Sequence, residues 1–363
     1  MMRSVLLVSN MYPSSKQPYF GTFVQVFENG LKDCGFKIVG PVVITSKGTS
    51  LFGKLFRYTK LLLKLVFLSF FKKYDVIYVH FLGIHAFFCL IISWLLPSKK
   101  VIVNVHGSDL LGEKREVEDS FWKFKMFKRA IMIVVPSAFF RKSLLLKYPE
   151  FQDKVFISSS GGVNEAFFYP CKNRESNLKK SFNIGFASRL IESKGLGVLI
   201  EAFALFHTSV PHSHLYVAGA GEDEKLFLLE IGRLNLEGKV SLVGGLSHDE
   251  LGTFLRKLDV FVFPTLFYES LGLVAIEAMA CGVPVIASNR GGILDYLEDG
   301  KNGFLFEPGD SRQLSDKICE YFKLDQRAKS ELVLNAIRTA HTYEHKNVNR
   351  QLAVRIAEIV YQT

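Results

Sequence analysis

Residues 260–288 read VFVFPTLFYESLGLVAIEAMACGVPVIAS, a complete strand–helix–strand unit. VFVF is a run of β-branched and aromatic residues with no polar alternation, the pattern of a strand covered on both faces. Pro264 helps to end it. A helix then starts near Leu271 or Gly272 and runs to Cys281; Gly282 is placed to stop it and Pro284 lies just beyond. VPVIAS is a second buried strand. Buried strands joined by a helix belong to one parallel sheet.

The same alternation continues outward. FNIGFAS, HLYVAGAG and VSLVGG precede this unit and GFLFEP follows it, separated by helical patterns. The first half repeats the scheme with VLLVSN, KIVGPVVIT, DVIYVHF, VIVNVHG, IMIVVPS and VFISSSGG. The expected fold is α/β: two Rossmann-like, doubly wound domains facing a central cleft at the carboxyl ends of their strands, where such folds bind ligands. A polar stretch, CKNRESNLKKS, makes a plausible linker, so the expected domains are 1–171 and 172–344. The last helix, residues 345–363, can pack on either one.

Composition sets limits. A chain of 363 residues is long enough for two domains. Its 45 Lys and Arg against 35 Asp and Glu leave a formal charge of +10, which suits a membrane surface, a phosphorylated ligand or nucleic acid. Cys34, Cys89, Cys171, Cys281 and Cys319 are scattered, with no C-x-x-C pair and no histidine cluster. A zinc site or disulfide framework is not expected, and a reducing, cytoplasmic compartment fits better. MMRSVLLVSNMYP reads as a first strand, not a signal peptide. Residues 81–98 approach transmembrane length, but they contain His85 and Pro97 and follow a strand, so a buried helix is expected.

Against this background Glu269 and Glu277 stand out. Glu269 precedes the helix and Glu277 lies in its second turn. Eight positions at about 100° each leave them roughly 80° apart even in a continuous helix, so they do not share a face. Between them are the N–H groups of the helix start, a seat for a phosphate. A carboxylate on each side of that seat can accept hydroxyl hydrogen bonds from the sugars of a nucleotide diphosphate. The contrary reading makes Glu269 a cap and Glu277 a surface residue. The helix is otherwise apolar or small, however, and an unpartnered buried charge costs several kcal/mol.

Arg189 and Lys194, in FNIGFASRLIESKG, follow a buried strand and suit a diphosphate, or are surface cations. Gly219 and Gly221 mark a tight turn, and the backbone of Gly244 and Gly245 can line a nucleotide base, with Gly244 the candidate. Ser247 and Glu250 form a capping-box pattern. In NVHGSDLL, His106 ends a strand at the expected cleft edge, and Asp109 is either a cap or a second acceptor. Gly21 is a turn glycine or one whose N–H faces the cleft.

Residues 51–73, LFGKLFRYTKLLLKLVFLSFFKK, hold Lys54, Arg57, Lys60 and Lys64 within about a third of a helix circumference, with Leu, Phe and Val around most of the rest. This suits an interfacial helix on anionic lipid, and equally a covering helix with its cations in water. Nucleic acid is not expected, because no binding module accompanies the charge.

GFASRLIESKG, YVAGAGED, VSLVGGLSHDEL and the block from FVFPT to GFLF together resemble the retaining glycosyltransferases of family 4, which have the GT-B fold. NVHGSDL, VVPSAFFRKSLL and SSSGGVNEAFFYP in the first half fit the same order. The resemblance covers essentially the whole chain, and it implies that the last helix, residues 345–363, packs back on the first domain. It implies a nucleotide-sugar donor whose diphosphate is held by Arg189 and Lys194. Glu269 and the backbone of Leu271, Gly272 and Leu273 would meet the donor sugar and phosphate, and Glu277 the ribose. His106 would bond the transferred sugar near the reacting centre, and Gly21 would approach the diphosphate. No metal or other cofactor is implied. Two positions depart from the family pattern: Ser188 stands where glycine often precedes the arginine, and Gly21-Thr22 where a Gly-Gly pair is common.

The expected function is transfer of a sugar to a saccharide hydroxyl, with a lipid-linked (polyprenyl-diphosphate) acceptor in bacterial surface-polysaccharide assembly and a peripheral position on the inner face of the plasma membrane. A nucleotide-sugar epimerase of related architecture and a non-catalytic membrane-associated nucleotide-sugar binder are the alternatives.

Overall fold

A computed structural model describes residues 3–17, 20–46, 48, 50–107, 109–111, 120–171 and 181–361. Nearly all of the expected linker, residues 171–181, lies outside the described residues. The chain divides into two units, Met1–Gly162 with His345–Thr363, and Val163–Glu344.

In the first unit the order is β1 (Ser4–Ser9), α1 (Thr22–Asp33), β2 (Lys37–Val43), α2 (Leu51–Phe71), β3 (Val76–His80), α3 (Ile84–Leu95), β4 (Lys100–Asn104), α4 (Phe121–Arg129), β5 (Met132–Val135), α5 (Ala138–Lys147) and β6 (Val155–Ile157). The strands form one parallel sheet in the order β2-β1-β3-β4-β5-β6. The second unit contains β7 (Phe182–Ala187), α6 (Leu196–Ser209), β8 (Ser213–Ala218), α7 (Glu224–Arg233), β9 (Val240–Gly244), α8 (His248–Leu255), β10 (Val260–Phe263), α9 (Leu273–Ala280), β11 (Val285–Ser288), β12 (Phe304–Phe306), α10 (Ser311–Lys323) and α11 (Gln326–His341). Its parallel sheet runs β12-β11-β10-β7-β8-β9. From β7 the chain winds out to β9, returns beside β7 as β10, and winds the other way. The order therefore reverses between β7 and β10, the place where a doubly wound sheet opens a crevice for ligands.

The unbroken apolar strands are explained by burial on both faces. In β10, Val260 and Val262 join one core layer with Phe186, Phe203 and Phe206. Phe261 and Phe263 join the opposite layer with Ile276 and Met279, as the two-residue period requires. The capping box at α8 is present: the Ser247 hydroxyl accepts from the Glu250 N–H, and the Glu250 carboxylate accepts from the Ser247 N–H at 2.8 Å.

Two expectations change, the domain boundary and the burial of the helix within residues 81–98. The division falls between Gly162 and Val163 rather than at 171, because the Val163 N–H donates to the Tyr343 carbonyl at 2.8 Å and Phe168 is buried in the core of the second unit. The last helix, α12 (His345–Tyr361), belongs to the first unit, as the family resemblance implies; Leu352, Ala353, Ile356, Ala357 and Val360 pack with Val24, Phe27 and Leu31. The helix expected to be buried within residues 81–98 is α3, and only one face is covered; Ile84, Phe87, Trp94 and Leu95 are exposed. Among the described residues no helix is long and apolar enough to cross a membrane.

Candidate active site

The loops beside the reversal point of the second sheet meet at one ion pair. Lys194, after β7, places Nζ 2.5 Å from Oε1 of Glu269, after β10. The two side chains are only 15% and 14% exposed, so water screens the pair less than it would at the surface. The Thr265 hydroxyl donates to the same carboxylate oxygen at 2.9 Å. The Leu266 N–H donates to the Ser193 carbonyl at 2.9 Å, tying the loops together through their backbones. Gly195 has φ +79°, and a Cβ there would stand 1.9 Å from the Pro264 carbonyl oxygen. Only glycine permits that approach. The loop after β11 supports Glu269 from the other side: the Gly292 N–H donates to the Glu269 carbonyl at 3.0 Å, and the Arg290 guanidinium donates to the Leu266 carbonyl.

Immediately downstream, Leu271 is buried and Gly272, at φ +78°, is the N-cap of α9, which Leu273 opens. The Tyr296 hydroxyl donates to the Gly272 carbonyl at 3.3 Å. The Ala275 N–H is the first to bond back along the helix, to Gly272 O at 2.9 Å. The N–H groups before it have no partner within the helix and form the positive end of its dipole. No acidic residue occupies that first turn. Glu277 lies in the next turn, 9% exposed. Among the described residues no hydrogen bond or ion pair reaches its carboxylate, and burial raises its pKa from 4.5 to about 8. At neutral pH it is mostly a carboxylic acid, able both to donate and to accept.

The sheet thus gathers Lys194, Glu269, Leu271, Gly272, Leu273 and Glu277 around one loop and one helix start. Arg189 shares the β7 loop with Lys194; it is exposed, and its side chain has no polar partner among the described residues. Gly244 stands further along the sheet, at the end of the edge strand β9, where its carbonyl accepts from the Gly219 N–H at 2.7 Å. Space beside its α-carbon is open.

In the first unit, His106 follows β4. Its ring stacks on Phe81 at 4.6 Å between centroids and lies 4.7 Å from Phe23. Its Nε2 is 2.9 Å from Nδ1 of His80, the last residue of β3. Burial lowers the His106 pKa to about 3, so the imidazole is neutral at physiological pH. Asp109 is a loop clamp: its carboxylate accepts from the N–H groups of His106, Gly107 and Leu82 at 2.8, 2.9 and 3.1 Å. Gly21 is the N-cap of α1 at φ +77°, where a Cβ would meet the Met11 carbonyl carbon at 2.7 Å. That contact requires glycine whether or not a ligand approaches.

Residues 172–338 match the family model described as Glycosyl transferases group 1. Through this region the chain is similar to the group 1 glycosyltransferases. Among curated relatives, it is 25% identical over 259 residues to N-acetyl-alpha-D-glucosaminyl L-malate synthase of Bacillus anthracis, covering 69% of this chain and 65% of that protein. It is 34% identical over 174 residues to the capsular polysaccharide biosynthesis glycosyltransferase CapM of Staphylococcus aureus, covering 45% and 43%. The amylovoran biosynthesis glycosyltransferase AmsK of Erwinia amylovora is 27% identical over 275 residues, covering 73% and 64%. The match thus spans less than two thirds of each of these relatives. Among solved structures, Anabaena HepE in complex with UDP superposes with a TM-score of 0.75 at 19% identity, covering 98% of this chain and all of that one. The sucrose-phosphate synthase of Thermosynechococcus elongatus gives 0.78 at 18% identity, covering 99% and 100%. The fold is GT-B.

Three residues that matter to the site were not singled out in the sequence. Thr265, four residues before Glu269, had a weak signal as the hydroxyl residue directly after a buried strand. Gly195 had none, because its need for glycine arises from Pro264, 69 positions away. His80 had a usable signal. Strand β3 pairs with β4 in a register that sets His80 opposite Asn104, and the two-residue period then puts His106 on the same side of the sheet.

Proposed function

We propose that this protein is a group 1 glycosyltransferase that transfers a sugar, with retention of anomeric configuration, from a nucleotide diphosphate donor to a hydroxyl of a saccharide acceptor. The observation that carries this reading is the Lys194–Glu269 pair beside the unpartnered N–H groups of α9, at the point where the sheet order reverses. Transfer develops negative charge on the leaving diphosphate and positive charge at the anomeric carbon. Lys194, Arg189 and the α9 N-terminus supply fixed positive potential for the former, and Glu269 supplies negative potential for the latter. Glu277, buried and without a polar partner, is assigned to the ribose hydroxyls, and Gly244 to the base. His106 is assigned to the transferred sugar and Gly21 to the diphosphate. No residue is assigned as a nucleophile. The diphosphate charge is met by the protein's own cations, so EDTA is expected to leave the initial rate unchanged.

Assignment to bacterial surface-polysaccharide assembly follows the naming of CapM and AmsK as capsule and amylovoran enzymes. A lipid-linked acceptor at the cytoplasmic face of a membrane follows from α2. Its buried side chains are confined to Leu61, Leu65, Leu68 and Ser69. Phe52, Phe56 and Phe71 are 84%, 71% and 73% exposed, and Leu51, Leu55, Leu63, Phe67 and Phe70 are exposed with them. At about 100° per residue these apolar side chains centre opposite the buried stripe, with Arg57, Lys60 and Lys64 along one flank.

The deciding experiment is a thermal-shift panel of nucleotide sugars, followed by incubation of the best stabiliser with and without a saccharide acceptor. Product formed only with acceptor is the expected result. A donor converted without acceptor would make the protein an epimerase, and binding without turnover would make it a non-catalytic binder.

A further inference from the structure

Two imidazoles share one hydrogen bond, and only one of them can donate it. His80 ends β3, His106 follows the adjacent β4, and their ring nitrogens Nδ1 and Nε2 are 2.9 Å apart. Burial disfavours the cationic form of both rings, so each carries a single ring proton. Suppose the His106 Nε2–H donates. His80 must then hold its proton on Nε2, which is buried without a hydrogen-bond partner, beside the rings of Phe27 and Tyr78. Suppose instead that the His80 Nδ1–H donates. The unpartnered Nε2 of His80 is then only a lone pair. Buried donors without partners are rarer than under-satisfied acceptors. The neighbouring His85 shows the same preference within this cluster. Its Nε2 lies 2.7 Å from the His80 carbonyl, which can only accept, so the buried, unpartnered Nδ1 of His85 is itself a lone pair.

We infer that His80 is a positioning residue: by donating from Nδ1 it holds His106 as the Nδ1–H tautomer, so that His106 meets the transferred sugar as a hydrogen-bond donor. The proposal rests on the reading that His106 contacts that sugar. Its mechanical basis is local. Phe81 and Phe23 flank the His106 ring, Asp109 fixes its backbone, and His80 bonds its Nε2.

The test is ¹⁵N-histidine NMR of the full-length protein at pH 7, combined with donor kinetics. In the wild type the His106 Nε2 resonance is expected in the unprotonated range and Nδ1 in the protonated range. His80→Asn, whose side-chain amide can take the place of Nδ1, is expected to keep that pattern and most of the turnover. His80→Phe suits the aromatic surroundings but cannot donate. It is expected to shift His106 toward the Nε2–H form and to lower kcat about tenfold, with KM for the donor little changed. If His80→Phe does not fold, His80→Gln, whose amide reaches toward the Nε2 side, takes its place. A wild-type His106 protonated on Nε2, or a pattern unmoved by loss of the His80 donor, overturns the inference. Retention of full transfer in His106→Ala overturns instead the reading on which it rests, and the NMR pattern tells the two failures apart.

Discussion

Glu277 carries a pH dependence whose sign follows from its burial. Its pKa in the folded protein is raised from 4.5 to about 8. Between those values the folded state holds a proton that the unfolded state has released, so stability falls as pH rises through the interval and levels off above it. The cost by pH 8 is on the order of several kcal/mol. Glu277→Gln is therefore expected to raise the melting temperature of the ligand-free protein at pH 8, with the gain shrinking toward pH 4.5; an equal gain at both values would argue against a buried, unpartnered carboxyl. Lys194 is different in kind. Its partner Glu269 also accepts from Thr265, so Lys194→Ala leaves that carboxylate one hydrogen bond and leaves the fold intact. Removing one preorganised charge from a developing oxyanion typically costs about 10²- to 10³-fold in rate. Lys194→Ala is expected to lose transfer on that scale, and Glu277→Ala to lose it sharply through the donor. Near-normal turnover in both variants would remove the site from this loop.

At the scale of elements, the glycine before α6 governs how two loops sit. Alanine at Gly195 would place its Cβ 1.9 Å from a backbone carbonyl oxygen, at a positive φ, and backbone cannot rotate away as a flexible side chain can. Gly195→Ala is expected to destabilise the second unit by about 3 kcal/mol and to separate Lys194 from Glu269, lowering transfer along with the denaturation midpoint. This constraint marks the limit of what the sequence disclosed. All twelve strands were legible, because each is a short apolar run between turn residues, and most of the central ones are buried on both faces. Helix α9 was legible nearly to the residue, because Gly272, Gly282 and Pro284 punctuate it. The separation of Glu269 from Glu277 followed from those boundaries. Gly195 against Pro264 and His80 against His106 were not singled out, since each pairing is created by the order and register of the strands, and Thr265 against Glu269 depends on how one irregular loop folds. Helix α2 is intermediate: its cationic stripe was legible, but not how few of its apolar residues the sheet would cover. Vesicles with anionic headgroups are expected to sediment the protein, neutral vesicles much less. A charge-reversed Lys54→Glu, Lys60→Glu variant should lose about 1 kcal/mol of binding per residue. No sedimentation with anionic vesicles would return α2 to the role of a covering helix.

Across the whole molecule, the two units are assembled from the chain in different ways, and this makes their stabilities separable. The second unit is one continuous segment, Val163–Glu344, and it contains Arg189, Lys194, Gly244, Glu269 and Glu277. The first is closed by α12, whose Leu352, Ala353, Ile356, Ala357 and Val360 complete the core formed by α1 and the sheet. Lys100 Nζ also donates to the Val360 carbonyl at 2.8 Å, fixing the end of that helix on β4. Each large apolar side chain so buried contributes about 1.5–3 kcal/mol, against a total stability of about 5–15 kcal/mol for a typical domain. Loss of α12 therefore removes most of what keeps the first unit folded and touches no donor-site residue of the second unit. Truncation before His345 is expected to abolish sugar transfer and the cooperative melting of the first unit. The truncated protein should still bind the nucleoside diphosphate, with an affinity close to that of the full chain by calorimetry. Loss of nucleotide binding together with α12 would mean that the second unit does not hold the donor diphosphate by itself. Arg189, Lys194 and the α9 N-terminus would then be insufficient without residues of the first unit, Gly21 foremost among them.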